Sequence, residues 1–147
     1  MSGTAAARAV LLDTCAVIWL ANGDPLAPEA LAAIVAAGLA DGVYVSPASA
    51  WEIGMLSRPR AGREPGLQFL PDPKIWFSRV LAGPGIRQAV LTPEIAIEAS
   101  YLPGEVHGDP GDRLLIATAR HLGVPLVTRD RRIIEYAEAG WARVIPC

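Results

Sequence analysis

Lysine is almost missing from this chain of 147 residues: Lys74 stands alone, and the remaining positive charge is arginine. A phosphoacceptor domain of the receiver type needs a lysine near its aspartates, and Lys74 lies within a helical pattern away from any acidic strand end, so that class fits poorly. Cysteine is nearly as scarce. Cys15 and Cys147 offer neither metal-ligand spacing nor a disulfide framework and read as reduced thiols, Cys15 as a packing residue. No apolar run approaches the roughly 20 residues of a membrane span, and Met1–Arg8 holds no hydrophobic segment before a cleavage site, so the expected location is the cytoplasm. Signs of disorder are absent too: with 52% hydrophobic residues the chain can fill one core. The expectation is one domain over residues 1–147, with 1–8 as a flexible lead.

The charge balance is also unlike that of a protein that grips nucleic acid over its whole surface, since the net charge is −2 and the pI about 5.6. The arginines are nonetheless clustered, at Arg58, Arg60 and Arg63 and again at Arg129, Arg131 and Arg132. Arginine's planar fork suits phosphate, so these local patches are compatible with a phosphodiester substrate.

What the chain does have is carboxylates in apolar surroundings. Asp13 ends the run Ala9-Val10-Leu11-Leu12, Trp51 and Ile53 flank Glu52, Leu114-Leu115-Ile116 follows Asp112, and Val124–Thr128 leads to Asp130. A carboxylate drawn toward a core is costly unless positive charge meets it. With no lysine near any of the four, a divalent cation held by hard oxygen ligands is the simplest compensation.

Short β-type runs near 9–13, 43–46, 86–91, 125–128 and 143–145 alternate with helical patterns. Ser46-Pro47, Asp72-Pro73, Thr92-Pro93 and Asp109-Pro110 mark helix starts, a capping residue followed by the ring that tolerates the first helical position. Alternation of this kind predicts an α/β fold, a parallel sheet flanked by helices whose ligands bind at the carboxyl ends of the strands. Asp13 and Asp130 fall at such ends. Residues 57–71, rich in Gly, Pro and Arg, read as an exposed loop or flap.

Leu11-Leu12-Asp13-Thr14, Ala50-Trp51-Glu52-Ile53, Asp109–Ala119 and Leu126–Asp130, in this order, resemble the motifs of the PIN-domain nucleases, and most closely the short bacterial VapC-type toxins of toxin–antitoxin pairs. The resemblance implies a PIN-like three-layer fold and a ribonuclease that uses Mg²⁺ or Mn²⁺. Carried over by position, Asp13, Glu52, Asp112 and Asp130 match the acidic quartet. Asp13 and Asp112 are the expected direct ligands, with Glu52 and Asp130 completing the shell or acting through water. Thr14 and Thr128 match supporting hydroxyls; Asp109 reads first as a helix cap. The arginine clusters then become RNA-contact candidates. The other class is a PIN-like module that keeps its acids but binds RNA or protein without cleaving. His107 reads as a surface residue and His121 as lying on a polar helix face. An antitoxin and a second copy of the chain are the expected partners, with Cys15–Leu39 and the helix near 47–56 as the exposed apolar ridges.

Overall fold

The computed structural model describes residues 7–59 and 67–147. Strand and helix alternate: β1 (Ala9–Leu12), α1 (Thr14–Asn22), α2 (Pro28–Gly38), β2 (Gly42–Val45), α3 (Pro47–Ser57), α4 (Pro73–Leu81), β3 (Ile86–Gln88), α5 (Pro93–Ser100), α6 (Pro110–Leu122), β4 (Leu126–Thr128), α7 (Arg131–Glu138) and β5 (Val144–Pro146). The strands form one all-parallel sheet in the order β3-β2-β1-β4-β5. This is the expected three-layer α/β arrangement.

Every residue of β1 is buried, as befits a central strand covered on both faces. The two-residue period of the strand then sorts side chains between two cores. Val10 and Leu12, with Val43, Val45 and Val127, pack under Val17, Ile34 and Phe77 from α1, α2 and α4. Leu11 and Leu126 face the opposite way, against Ile95, Leu115, Ile116 and Ile133 from α5, α6 and α7. Burial of each such side chain contributes about 1.5–3 kcal/mol, so the sheet is clamped from both sides.

All four expected caps form. Ser46, Asp72, Thr92 and Asp109 accept from the backbone N–H of Ala48, Ile75, Ile95 and Asp112. The third strand is shorter than the sequence pattern suggests, ending at Gln88 rather than 91. Among the described residues it is an edge strand paired with β2 alone, which stops at Val45 before the Ser46 cap and leaves residues beyond Ala89 no ladder there. The expected loop 57–71 is anchored at its end, where Phe69 is buried and meets Trp76 edge-on at 4.9 Å. Of the expected flexible lead, residues 1–6 lie outside the described residues, whereas Arg8 is fastened to Asp41 by an ion pair of 3.0 Å. No helix among the described residues is long and apolar enough to cross a membrane.

From β1 the chain builds outward on one side through β2 and β3, then returns to build β4 and β5 on the other. The crevice between the carboxyl ends of β1 and β4 is therefore the switch point, where a doubly wound sheet leaves room for a ligand. Gly123, with φ of 69°, closes α6 in the left-handed conformation and lets the chain turn directly into β4.

Candidate active site

Three of the four acids reach the switch-point crevice from a helix start, two of them where a strand ends at the rim and the chain turns into a helix. Asp13 caps α1, Asp130 caps α7, and Asp112 sits in the first turn of α6. Glu52 comes from the middle of α3, which packs against α1 and α6. The quartet lines one cleft of about 290 Å³ with Thr14, Cys15, Trp19 and Arg129. A larger cavity of about 410 Å³ beside α4 and β3 is lined mainly by apolar groups, with Arg79 as its charged member, and has no carboxylate to do chemistry.

Hydroxyls hold two of the carboxyl groups in place. Asp13 accepts from the backbone N–H of Ala16 through Oδ1 at 2.8 Å and from the hydroxyl of Thr128 through Oδ2 at 2.6 Å. Thr128 Oγ1 also accepts the backbone N–H of Asp130 at 3.1 Å. Thr14 donates to Glu52 Oε1 at 2.6 Å, and Ser49 Oγ lies 3.0 Å from the same Thr14 oxygen. Since a hydroxyl has one proton to give, Ser49 donates to Thr14 when Thr14 donates to Glu52. Both expected supporting threonines are thus bonded to quartet members, and Ser49 is an additional link.

His107 departs from expectation. It is half-buried rather than a surface residue, with Nε2 2.7 Å from Asp112 Oδ2. Its loop position before α6 carries no periodic signal, so only the folded chain shows the contact. Arg132, expected to face RNA, instead approaches two acids, its Nη2 lying 3.4 Å from Asp130 Oδ2 and 3.7 Å from Asp112 Oδ2. Arg58 and Arg131 are exposed, and Arg60 and Arg63 lie outside the described residues. Cys15, expected to be a packing residue, is on the exposed side of α1 and lines the cleft. His121 is exposed, and Lys74 is on α4, away from the acids.

The electrostatics show how crowded the negative charge is. Burial, and then repulsion from Asp112 and Asp130, raise Asp13 above the usual carboxylate range against its two hydrogen bonds. Burial followed by repulsion from neighbouring acids likewise raises Glu52 and Asp112, opposed by Thr14 and His107 respectively. For Asp130 burial pushes upward, but the hydrogen bonds and charge of Arg132 outweigh it and hold the group below its ordinary value. Burial and the charges of Asp13, Glu52 and Asp112 push the Cys15 thiol up to about 11. A thiol so placed stays protonated near neutrality and is no nucleophile.

These groups fit a divalent cation. The donors are hard oxygens, and their charge is excessive without one. His107, Asp112 and Asp130 can bring ligand atoms within 4.8 Å of one another, as can Glu52, Asp109 and Asp112. Asp112 is common to both sets. Asp13 belongs to neither, but a carboxylate has about four lone-pair directions, and its two hydrogen bonds leave others open toward the cleft. The fit at Glu52 is close: a Cβ at Gly111 would lie 2.7 Å from the Glu52 carboxyl carbon, so only glycine lets α6 approach it this near.

Fold and cleft together define an α/β protein with a carboxylate site, suited to a divalent cation, at the carboxyl rim of a parallel sheet. Within that class the chain belongs to the PIN domain family, whose sequence profile matches residues 10–139. It is 34% identical over 124 residues to Ribonuclease VapC22 of Mycobacterium tuberculosis, covering 84% of this chain and 88% of that protein. Among solved structures it resembles VapBC2 from Rickettsia felis, determined bound to a DNA fragment from the promoter, with a TM-score of 0.63 at 12% identity over 94% of this chain and 98% of the other. VapBC-1 from nontypeable Haemophilus influenzae gives a TM-score of 0.58 at 14% identity over 94% and 97%. At such identities the structural likeness establishes the fold.

Proposed function

We propose that this protein is a metal-dependent endoribonuclease, the toxin of a toxin–antitoxin pair. The observation that carries the reading is the convergence of Asp13, Glu52, Asp112 and Asp130 on one cleft, three of them held above the usual carboxylate range. Membership of the PIN family and likeness to a VapC ribonuclease over most of both chains support it.

In this reading Asp13 and Asp112 hold Mg²⁺ or Mn²⁺ directly, and Glu52 and Asp130 complete the shell or act through water. When bound, the cation lowers the pKa of a coordinated water and offsets the charge that builds on the phosphate. The protein's own groups position the parts. Thr128 aims Asp13, Thr14 aims Glu52, and His107 aims Asp112. Asp109 caps α6 and so fixes the turn that carries Asp112. Arg132 stands beside Asp112 and Asp130, and Arg58 and Arg131 are exposed, so these three are the arginines placed to meet substrate phosphate.

The partner is an antitoxin, and the toxin pairs with itself. Leu31, Val35 and Leu39 follow one another at helical spacing along α2 and its end, all exposed, and Trp51 and Leu56 are exposed on α3. They fall within the segments expected from the sequence and offer an apolar seam for an amphipathic helix.

Purified protein incubated with a generic RNA tests the reading. Cleavage should need added Mg²⁺ or Mn²⁺, stop with a chelator, and fall at least about a hundredfold in Asp112→Asn and Asp13→Asn proteins that remain folded. Wild-type rates in either variant, or cleavage indifferent to chelation, would overturn it.

A further inference from the structure

The acid cleft has a second wall made of different chemistry. Trp19 lies one helical turn beyond Cys15 on α1, and both line the cleft together with the strand-end residues Arg129 and Asp130. The Arg129 guanidinium carbon sits 3.8 Å above the centre of the Trp19 ring. Its Nε donates to the main-chain oxygen of Cys147 at 2.9 Å. An exposed arginine beside four acids would ordinarily turn to them, yet among the described residues Arg129 makes no ion pair with an aspartate or glutamate, and it is Arg132 that meets Asp112 and Asp130. The indole and the Cys147 oxygen together hold the guanidinium against the ring.

We propose, on the ribonuclease reading above, that Trp19 and Arg129 form a subsite for one unpaired RNA base beside the scissile phosphate. Three features argue for it. The stack presents a flat cationic surface, and guanidinium planes and aromatic rings are the surfaces on which unpaired bases stack. Its position is tied to the chemistry through the backbone, because Arg129 lies between Thr128, which bonds Asp13, and Asp130. Its two sides belong to rigid elements, since Trp19 is on α1, the helix capped by Asp13, and Arg129 directly follows β4. A base paired within a duplex cannot offer its face, so the subsite selects single-stranded RNA.

The test is a cycle between protein and substrate. Asp112→Asn protein, which binds without cutting, is titrated with a fluorescent single-stranded oligoribonucleotide carrying an abasic nucleotide at each position in turn. At one position, loss of the base should weaken binding about tenfold. In the Asp112→Asn/Trp19→Ala protein the same loss should cost nothing more. Trp19→Phe should keep most of the effect, and Arg129→Gln, which spares the helix, should lose it. In the parent enzyme Trp19→Ala should raise KM about tenfold with kcat within about twofold. An abasic penalty equal in both proteins, duplex bound as tightly as single strand, or no RNA bound at all overturns the subsite. Metal-dependent cleavage accompanied by an equal penalty removes this inference alone and leaves the ribonuclease reading standing.

Discussion

The hydroxyl of Thr128 donates to Asp13 Oδ2 at 2.6 Å, joining residues 115 positions apart in the chain. The contact exists because β4 is hydrogen-bonded to β1 and the two strands end together at the rim. Since Thr128 Oγ1 also takes the N–H of Asp130, one side chain aligns two acids.

Thr128→Val keeps the shape of the side chain but removes the donor, leaving a buried carboxylate short of a partner. Stability should fall by about 1.5–3 kcal/mol in urea unfolding at neutral pH, and Thr128→Ser should recover most of it. Equal stability of the valine variant would show that this bond is not what holds Asp13.

Gly111→Ala separates the fold from the site. The methyl group would fall 2.7 Å from the Glu52 carboxyl carbon and displace a group now bonded to Thr14. Alanine is favoured over glycine within a helix by about 0.5–1 kcal/mol, so global stability should change little. Divalent-ion affinity by calorimetry should drop about tenfold or more, as it does when an orienting contact is lost.

The pH response of the metal-free protein should be unusual in sign. Asp13, Glu52 and Asp112 have folded pKa values above their unfolded ones, so the folded state binds protons more tightly. Stability must then fall as pH rises from the ordinary carboxylate values through the raised ones, and stay lower beyond them. Asp130, lowered by Arg132, acts oppositely and loses its contribution only below its ordinary value. Thermal midpoints should therefore rise on mild acidification from neutrality, and Mg²⁺ should abolish that rise by stabilising the ionised forms. A midpoint that falls steadily from neutral pH without metal would contradict the repulsion.

Cys15 reports the same charge from another side. With its thiol pushed to about 11, only about a thousandth is thiolate at pH 8. Iodoacetamide should label it far more slowly than a free thiol, and Mg²⁺ or Asp112→Asn should speed the reaction by removing negative charge. Labelling at the rate of a free thiol, unchanged by metal, would mean the acids do not act on it.

Val35→Glu interrupts the ridge of Leu31, Val35 and Leu39 on an exposed helix face. Light scattering at micromolar concentration should show a dimer for the parent chain and a monomer for the variant, with RNA cleavage per site reduced rather than abolished. A monomeric parent would remove the self-pairing proposal.

Alternating apolar runs and proline-marked caps were enough to predict the sheet, its parallel sense and four helix starts, because hydrophobic period and backbone capping are local properties. Asp13 and Asp130 stood out for a similar reason, as acids at the ends of buried strands, whereas Glu52 and Asp112 stood out as acids on helices beside apolar sequence. Tertiary structure alone decided the rest. His107 on Asp112, Ser49 beside Thr14, Arg132 turned to the acids and Arg129 laid on Trp19 are contacts between different elements. Their distances depend on how helices pack across a sheet, and no spacing along a single chain encodes that geometry.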